Sequence, residues 1–196
     1  MISPADILRQ SIRETTFVVV DVETTGLSPR EGAITEIAMF KVRKGLIWDE
    51  YTTLVDPLMP ISDEITALTG IDDAMVAGAP TAKEVALPIS EFLGDGVFTA
   101  HNAPFDLGFV NSTLAKGRLE PIQNPVICTC KLARRLLPNL QSKSLGPVTR
   151  ILGISNSSRH RAAGDAYATA QVLIRFLNRL EDEFDVTDVK GLMKFQ

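Results

Sequence analysis

The stretch Phe17-Val18-Val19-Val20-Asp21-Val22-Glu23-Thr24-Thr25-Gly26 decides the fold, because it predicts a buried strand that ends in two acids. Residues of high strand propensity come first, and Thr24-Thr25-Gly26 closes the segment with turn-forming residues. Asp21 and Glu23 lie two residues apart, so in a strand both carboxylates point to one face while Val22 packs on the other. Adjacent anions near a sheet repel each other, and a divalent cation that prefers oxygen ligands would relieve this repulsion. A half-exposed strand without a metal is the alternative.

The length and composition are those of one folded domain. The chain has 196 residues, of which 45% are hydrophobic and 22% are charged, and such a chain can bury a sizeable core. No run approaches the roughly 20 apolar residues of a membrane span. The first residues also lack the basic-then-apolar order of a signal peptide. We therefore expect a cytoplasmic protein with no membrane partner.

Basic residues are concentrated in one segment, although the whole chain carries a net charge of −4. Residues 116–165 contain nine basic and two acidic residues, whereas the rest of the chain contains 11 basic and 22 acidic residues. A local charge of +7 can attract nucleic acid despite the overall sign. A solvated basic surface is the alternative. The nine basic residues are Lys116, Arg118, Lys131, Arg134, Arg135, Lys143, Arg150, Arg159 and Arg161.

The order of the predicted elements indicates an α/β fold. Three strands joined by short turns imply an antiparallel meander, and two further strands then alternate with helices. This order predicts a mixed five-stranded sheet with helices on both faces and the first strand near the centre. We expect strands at 17–22, 34–42, 46–55, 96–100 and 125–128. We expect helices from Ser62 to Gly70, from Thr81 to Leu93, at 104–116, at 129–137, from Ser144 to near Gly153 and at about 161–181.

The chain is predicted to consist of a main domain with a short segment at each end. Residues 1–16 are predicted to form a helical N-terminal extension, and residues 17–182 the main domain. Residues 183–196 are predicted to be a C-terminal tail with a short docking helix, because its apolar residues have helical spacing. Within the main domain, Pro88 is expected to kink or interrupt the helix that contains it.

Two further acids follow turns that begin helices. Asp106 comes after His101-Asn102-Ala103-Pro104-Phe105 in the first turn of a helix, where an interaction with the helix dipole is the simpler explanation. Asp165 lies in His160-Arg161-Ala162-Ala163-Gly164-Asp165-Ala166, whose small residues permit close packing on a sheet. An acid in such a stretch is poorly explained as a surface charge. His160 lies five residues before this aspartate in a chain with two histidines. It is therefore a candidate general base, with an ordinary surface or core histidine as the alternative.

These three acidic segments resemble the exonuclease motifs of the DEDDh family. Asp21-Val22-Glu23-Thr24-Thr25-Gly26, His101-Asn102-Ala103-Pro104-Phe105-Asp106 and His160-Arg161-Ala162-Ala163-Gly164-Asp165 follow the order of the family's motifs over about residues 17–180. The family includes the proofreading subunit or domain of bacterial replicative DNA polymerases, RNase T and oligoribonuclease. The resemblance implies a ribonuclease H-like α/β sheet, with an exonuclease domain at residues 17–182.

The resemblance also implies a role for each motif residue. Asp21, Glu23, Asp106 and Asp165 would bind two divalent ions, Mg²⁺ or Mn²⁺, and His160 would be the general base, so these five are the predicted catalytic residues. The histidine of the third motif favours this branch of the family over the branch with tyrosine at that place. The residues expected to contact the 3′-terminal nucleotide are Thr24, Thr25, Gly26, Leu27, His101, Asn102 and Phe105.

The implied activity is a metal-dependent 3′→5′ exonuclease that releases nucleoside 5′-monophosphates from single-stranded or frayed DNA ends. Two ions about 3.5–4 Å apart can clamp the attacking and leaving oxygens, and stacking of the bases permits low sequence specificity. A DNA polymerase subunit is an expected partner. An RNA 3′-end trimming enzyme and a non-catalytic nucleic-acid-binding module are the alternatives. Contacts to the 2′-hydroxyl decide between DNA and RNA, and the sequence does not reveal them.

Overall fold

The computed structural model describes residues 4–156 and 160–196 of the chain. The strands of this part are β1 (Phe17–Thr24), β2 (Ile34–Arg43), β3 (Leu46–Leu54), β4 (Val97–Ala100) and β5 (Val126–Cys128). Its helices are α1 (Pro4–Ile7), α2 (Asp63–Thr69), α3 (Asp73–Val76), α4 (Ala82–Leu93), α5 (Ala103–Lys116), α6 (Thr129–Leu136), α7 (Leu145–Ile151), α8 (Ala162–Phe184) and α9 (Val189–Phe195). Short helix α3 is the one element here that the sequence pattern did not predict.

The five strands form one mixed sheet in the order β3-β2-β1-β4-β5. Strands β1, β2 and β3 are an antiparallel meander, while β4 and β5 continue the sheet in parallel with β1. Strand β1 is therefore central. The predicted fold class, a mixed five-stranded sheet with helices on both faces, is confirmed.

The alternation of side chains along β1 divides the core into two layers. Phe17 and Val19 belong to the layer that includes the apolar face of α8, whereas Val20 belongs to the layer that includes α4 and α5. Because successive strand residues point to opposite faces, Asp21 and Glu23 continue the series of Phe17 and Val19. Both acids therefore lie on the face of the sheet that α8 covers.

The sequence predicted that Pro88 would kink or interrupt its helix, but α4 continues without a break from Ala82 to Leu93. A proline inside a helix costs about 3 kcal/mol. Two features offset this cost. At the start of the helix, the Glu84 carboxylate accepts hydrogen bonds from both the backbone N–H and the hydroxyl of Thr81 at 2.7 Å. Further along, apolar residues such as Ile89 are fully buried against the sheet.

The N-terminal segment is not the continuous helix that the sequence predicted for residues 1–16. Residues 1–3 lie outside the described residues, and helix α1 ends at Ile7. Turns follow, and the backbone N–H of Ile12 donates to the carbonyl of Thr187 at 2.9 Å. Backbone pairing with the C-terminal segment therefore replaces the expected helical hydrogen bonds.

The C-terminal segment packs against the edge of the sheet. Helix α9 contacts β5, and the side chain of Gln196 accepts a hydrogen bond from the Cys128 N–H at 2.8 Å and donates one to the Val126 carbonyl at 2.9 Å. Val189 is fully buried in the same core layer as Ile12. Both terminal segments thus pack on the core of the main domain, and the division into three segments stays a prediction. Within the described residues, no helix is long and apolar enough to cross a membrane.

Candidate active site

Three of the four predicted metal-binding acids form a cluster at the C-terminal end of β1. One carboxylate oxygen from each of Asp21, Glu23 and Asp165 lies within 4.8 Å of the others. Asp21 and Glu23 come from β1, and Asp165 comes from the first turn of α8, which packs across the same face. Oxygens bound to one octahedral Mg²⁺ lie about 3–4 Å apart. Small side-chain movements would therefore allow these three residues to share a cation.

The fourth acid, Asp106, lies beside this cluster, close enough for its charge to act on Asp21. It is in the first turn of α5 and is 4% exposed. Burial raises the pKa of its carboxyl group to about 8, hydrogen bonds from the backbone N–H groups of Asp106 and Val22 oppose this shift, and the charge of Glu23 adds to it. The contact with Val22 places the Asp106 carboxyl group against β1, beside Asp21 and Glu23.

The carboxylates of the cluster repel one another. Burial raises the pKa of Asp21 well above its ordinary value, and the nearby charges of Asp106 and Asp165 raise it further. Burial also raises the pKa of Glu23 to about 7, with the charges of Asp165 and Glu36 adding to the shift. A group of hard oxygen donors with excess negative charge is what a divalent cation requires, so these residues fit a metal site.

Two residues that precede α8 hold Asp165 by hydrogen bonds. The backbone N–H of His160 donates to one carboxylate oxygen at 2.9 Å, and the side-chain amide of Asn156 donates to the other at 2.5 Å. His160 has a left-handed backbone, with φ of 60°, and its side chain is exposed. The structure thus fixes the backbone of the predicted base beside Asp165, while its catalytic role stays a prediction. The preceding residues 157–159, which include the basic Arg159, lie outside the described residues.

The threonines of the first motif organise the turn that follows β1. The Thr24 hydroxyl donates to the Gly26 carbonyl at 2.7 Å, and the Thr25 hydroxyl accepts a hydrogen bond from the Ala33 N–H at 3.0 Å. Leu27 follows in the same loop, and 88% of its surface is exposed. Such exposure of a large apolar side chain next to an acid cluster suits contact with a ligand.

Two further apolar residues lie close to this loop and were not found by sequence reasoning. The Thr25 hydroxyl donates to the Met59 sulfur at 3.4 Å, and Leu58 and Met59 are 73% and 39% exposed. The available signal was an apolar pair within the loop after β3. Phe105, which is also predicted to contact the 3′-terminal nucleotide, is partly exposed and packs on Phe109 with ring centroids 5.0 Å apart.

His101 of the second motif is held by the protein through both ring nitrogens. Nδ1 lies 2.9 Å from the Thr129 hydroxyl and Nε2 lies 2.7 Å from the Lys143 carbonyl, and burial lowers the pKa of the ring. In this arrangement the ring supports the segment before α7, and its predicted contact with substrate stays a prediction. Asn102 is exposed and, with φ of 78°, starts α5. A groove of about 730 Å³ extends from these two residues, and Arg134 and Lys143 contribute positive charge to its lining.

Sequence reasoning also missed an ion pair between the buried Glu36 and the partly exposed Arg161. Glu36 is 3% exposed and lies opposite Glu23 in the pairing of β1 with β2. Its carboxylate lies 2.6 Å from Nη2 of Arg161, which directly precedes α8. The signal was a single charge within the apolar stretch Ile34-Thr35-Glu36-Ile37-Ala38, since a buried charge requires a partner.

Comparison with known proteins gives concordant matches. A family model described as Exonuclease (RNase_T) matches residues 18–173. The chain is 43% identical over 176 residues to the PolC-type DNA polymerase III of Clostridium perfringens, a match that covers 90% of this chain and 12% of that protein. It is 34% identical over 189 residues to the DNA polymerase III subunit epsilon of Aquifex aeolicus, covering 96% of this chain and 94% of that one. The solved structure of exonuclease X in complex with 5′ overhanging duplex DNA has a similar fold, with a TM-score of 0.72 and 32% identity over 90% of this chain and 99% of that chain.

Proposed function

The chain belongs to the RNase_T exonuclease family, and from this membership we propose that it is a metal-dependent 3′→5′ exonuclease acting on single-stranded or frayed DNA ends. Each cycle would release one nucleoside 5′-monophosphate. The observation that carries the proposal is the cluster of Asp21, Glu23 and Asp165, with Asp106 buried beside it. The preference for DNA rests on the relatives, since two are DNA polymerase III components and the third was solved with duplex DNA.

The four acids are proposed to hold two Mg²⁺ or Mn²⁺ ions. The ions would supply positive charge to the attacking and leaving oxygens of the phosphodiester. The protein contributes a fixed set of oxygen ligands. Asp21 and Glu23 are held by the central strand, and Asp165 by its bonds to His160 and Asn156. Because the pKa values of Asp21 and Glu23 are raised by burial and repulsion, cations and protons compete for these groups.

His160 is proposed to accept the proton of the attacking water. An imidazole can change its charge near neutral pH, and a positioned base of this kind contributes roughly 10²–10⁴-fold to a rate. The hydrogen bond from its backbone to Asp165 keeps the residue next to the acids. The exposed side chain can therefore approach a nucleic-acid end that enters from solvent.

The surroundings of the acids suit a nucleic-acid strand. We propose that the base of the 3′-terminal nucleotide contacts the apolar side chains of Leu27, Met59 and Phe105. Stacking on such surfaces does not depend on base sequence, so low sequence specificity would follow. The turn containing Thr24, Thr25 and Gly26 would lie along the sugar. The groove that starts at His101 and Asn102 would carry the preceding phosphates past Arg134 and Lys143.

A proofreading role beside a DNA polymerase is part of the proposal. The epsilon-subunit relative matches this chain over nearly its full length, whereas the chain spans 12% of the PolC-type relative. The polymerase partner would hold the duplex, and the exonuclease would receive the frayed 3′ end. A cytoplasmic location is proposed with it, since that is where the substrate would be found.

A nuclease assay with matched substrates tests the proposal. Single-stranded DNA and RNA of the same sequence, each labelled at the 5′ end, are incubated with the protein in Mg²⁺, in Mn²⁺ or in EDTA. The expected result is a ladder of single-nucleotide steps on DNA that disappears in EDTA. Asp165→Asn should be inactive. Glu183→Gln should be fully active, because it makes the same kind of change at an exposed ion pair with Arg179 on the same helix.

Each other result of this assay counts against a stated part of the proposal. Faster digestion of RNA than of DNA would identify RNA as the preferred substrate. Internal cuts, or immediate release of the 5′ label as a mononucleotide, would contradict 3′→5′ polarity. No cleavage of either polymer with Mg²⁺ or Mn²⁺ would favour the non-catalytic binding module.

A further inference from the structure

Glu36 and Glu23 are neighbours across the β1–β2 pair, which is an unfavourable position for two acids. They lie directly opposite each other in the register, and like charges at such positions destabilise a sheet. Glu36 is 3% exposed, so water does little to screen its charge. A positive group next to Glu36 would relieve this repulsion.

Arg161 is that group. Its Nε lies 3.2 and 3.1 Å from the two Glu36 oxygens, and its Nη2 lies 2.6 Å from Oε1. The backbone N–H of Ala162, the first residue of α8, also donates to Oε2 at 2.8 Å. The carboxylate therefore fixes both the guanidinium and the start of the helix. Since Asp165 lies in the first turn of α8, Glu36 connects the strand pair that carries Glu23 to the helix that carries Asp165.

Arg161 also interacts electrostatically with Glu23. Its charge lowers the pKa of Glu23, and the charge of Glu23 in turn raises the pKa of Arg161. The guanidinium thus has two acidic neighbours and is hydrogen-bonded to one of them. If Glu36 lost its charge, Glu23 would be the acid left to pair with Arg161. A metal ligand that is paired with arginine is less available to a cation.

We propose that Glu36 is a positioning residue that keeps Arg161 away from Glu23 and anchors the start of α8, so that Glu23 and Asp165 remain available to one cation. The inference rests on the proposed metal-dependent exonuclease. It assigns a function to two residues outside the acid cluster. This role also accounts for the buried charge in the mainly apolar first half of β2.

The test compares Mn²⁺ binding, measured by isothermal titration calorimetry at pH 8, among four variants. Glu36→Gln should weaken Mn²⁺ binding by roughly 10–100-fold, the usual effect of removing a group that orients a metal ligand. Glu36→Gln combined with Arg161→Gln should recover most of this loss, because no cation remains to pair with Glu23. Arg161→Lys keeps the charge but not the two-pronged contact, so it should weaken binding in the same direction. Glu183→Gln, which breaks an exposed ion pair on α8, should bind as the wild type does.

Mn²⁺ affinity and nuclease kinetics distinguish positioning from a purely structural role, and melting curves show that each variant is folded. A structural ion pair would give a double variant that binds Mn²⁺ as weakly as Glu36→Gln, and that result would overturn the inference. Wild-type Mn²⁺ affinity in a folded Glu36→Gln or Arg161→Lys protein would also overturn it. In kinetics we expect Glu36→Gln to lower kcat more than it raises KM for the oligonucleotide. If the wild type binds Mn²⁺ but cuts neither DNA nor RNA, the proposed function fails while the binding comparison still decides the role of Glu36.

Discussion

Replacing Asp106 with asparagine should make the metal-free protein more stable at neutral and alkaline pH, although it removes one of the four proposed metal ligands. The carboxyl group is 4% exposed, and burial raises its pKa from 3.8 to about 8. In the unfolded chain the group ionises near its ordinary pKa, whereas the folded protein holds the proton to about pH 8. Its stabilising contribution is therefore complete below pH 3.8 and is lost as the pH rises toward 8.

The size of the effect follows from this difference in pKa. Each unit of difference is equivalent to about 1.4 kcal/mol, so the interval from 3.8 to about 8 gives an upper limit of about 6 kcal/mol for Asp106 at pH 8. We expect about 1–3 kcal/mol in practice, because the effective dielectric constant near such sites is higher than in a dry interior. A change of 1 kcal/mol shifts Tm by about 2–4 °C in a domain of this size. Asp106→Asn should therefore raise Tm by several degrees at pH 8 and by much less at pH 5.

Thermal unfolding followed by circular dichroism in EDTA, at unit steps from pH 5 to pH 8, measures this difference. Glu183→Gln is the matched control, because it changes an exposed acid and should show no comparable dependence on pH. A variant that is less stable than the wild type at pH 8, or a stability difference that does not change with pH, would refute the reasoning. Added Mn²⁺ should raise the Tm of the wild type more than that of Asp106→Asn at pH 8, because the cation would neutralise a carboxylate charge that the variant lacks.

Three further predictions concern single side chains. Asp21→Ala and Asp165→Asn should each abolish Mg²⁺-dependent digestion of DNA while the circular dichroism spectrum stays unchanged, and residual wild-type activity in either would exclude that residue from the metal site. His160→Ala should lower kcat by roughly 10²–10⁴-fold, and a wild-type pH–rate profile that is flat from pH 5.5 to 8 would argue against its role as base. Leu27→Ala should change stability by less than about 0.5 kcal/mol, because the side chain is 88% exposed, yet raise KM for single-stranded DNA; an unchanged KM would exclude stacking on this residue.

The parts of the fold that follow from local chemistry were predictable. The two-residue spacing of Asp21 and Glu23 after an apolar run predicted a strand with both acids on one face, and the order of the elements predicted its central position. The structure confirms the central position and brings the two acids together. Ser62 and Gly70 marked the ends of α2, because a side-chain cap and a left-handed glycine are local signals. The gathering of Asp21, Glu23 and Asp165 followed from the resemblance of three separate motifs and from no single one of them.

The parts that depend on distant contacts could not be predicted. Glu36 and Arg161 are 125 residues apart, and neither carries a local signal of the other's position. The first residues look helical because Leu8 and Ile12 are four residues apart, but the C-terminal segment provides backbone partners that a local pattern does not contain. Pro88 was expected to break α4 because propensity considers one residue, whereas the buried face of the helix acts over its whole length.

The acid cluster joins residues of β1 to a residue of α8, so the site can be completed only after α8 has been synthesised. Asp21 and Glu23 leave the ribosome before Asp165, which follows 142 residues after Glu23. Before α8 docks, a nascent or partly folded chain presents two adjacent carboxylates without the third, so it would have little hold on a cation. A strand that paired one residue out of register would turn both acids to the opposite face. A molecule misfolded in this way would lack the complete acid cluster, so the proposed cation site requires a sheet that is complete and correctly aligned.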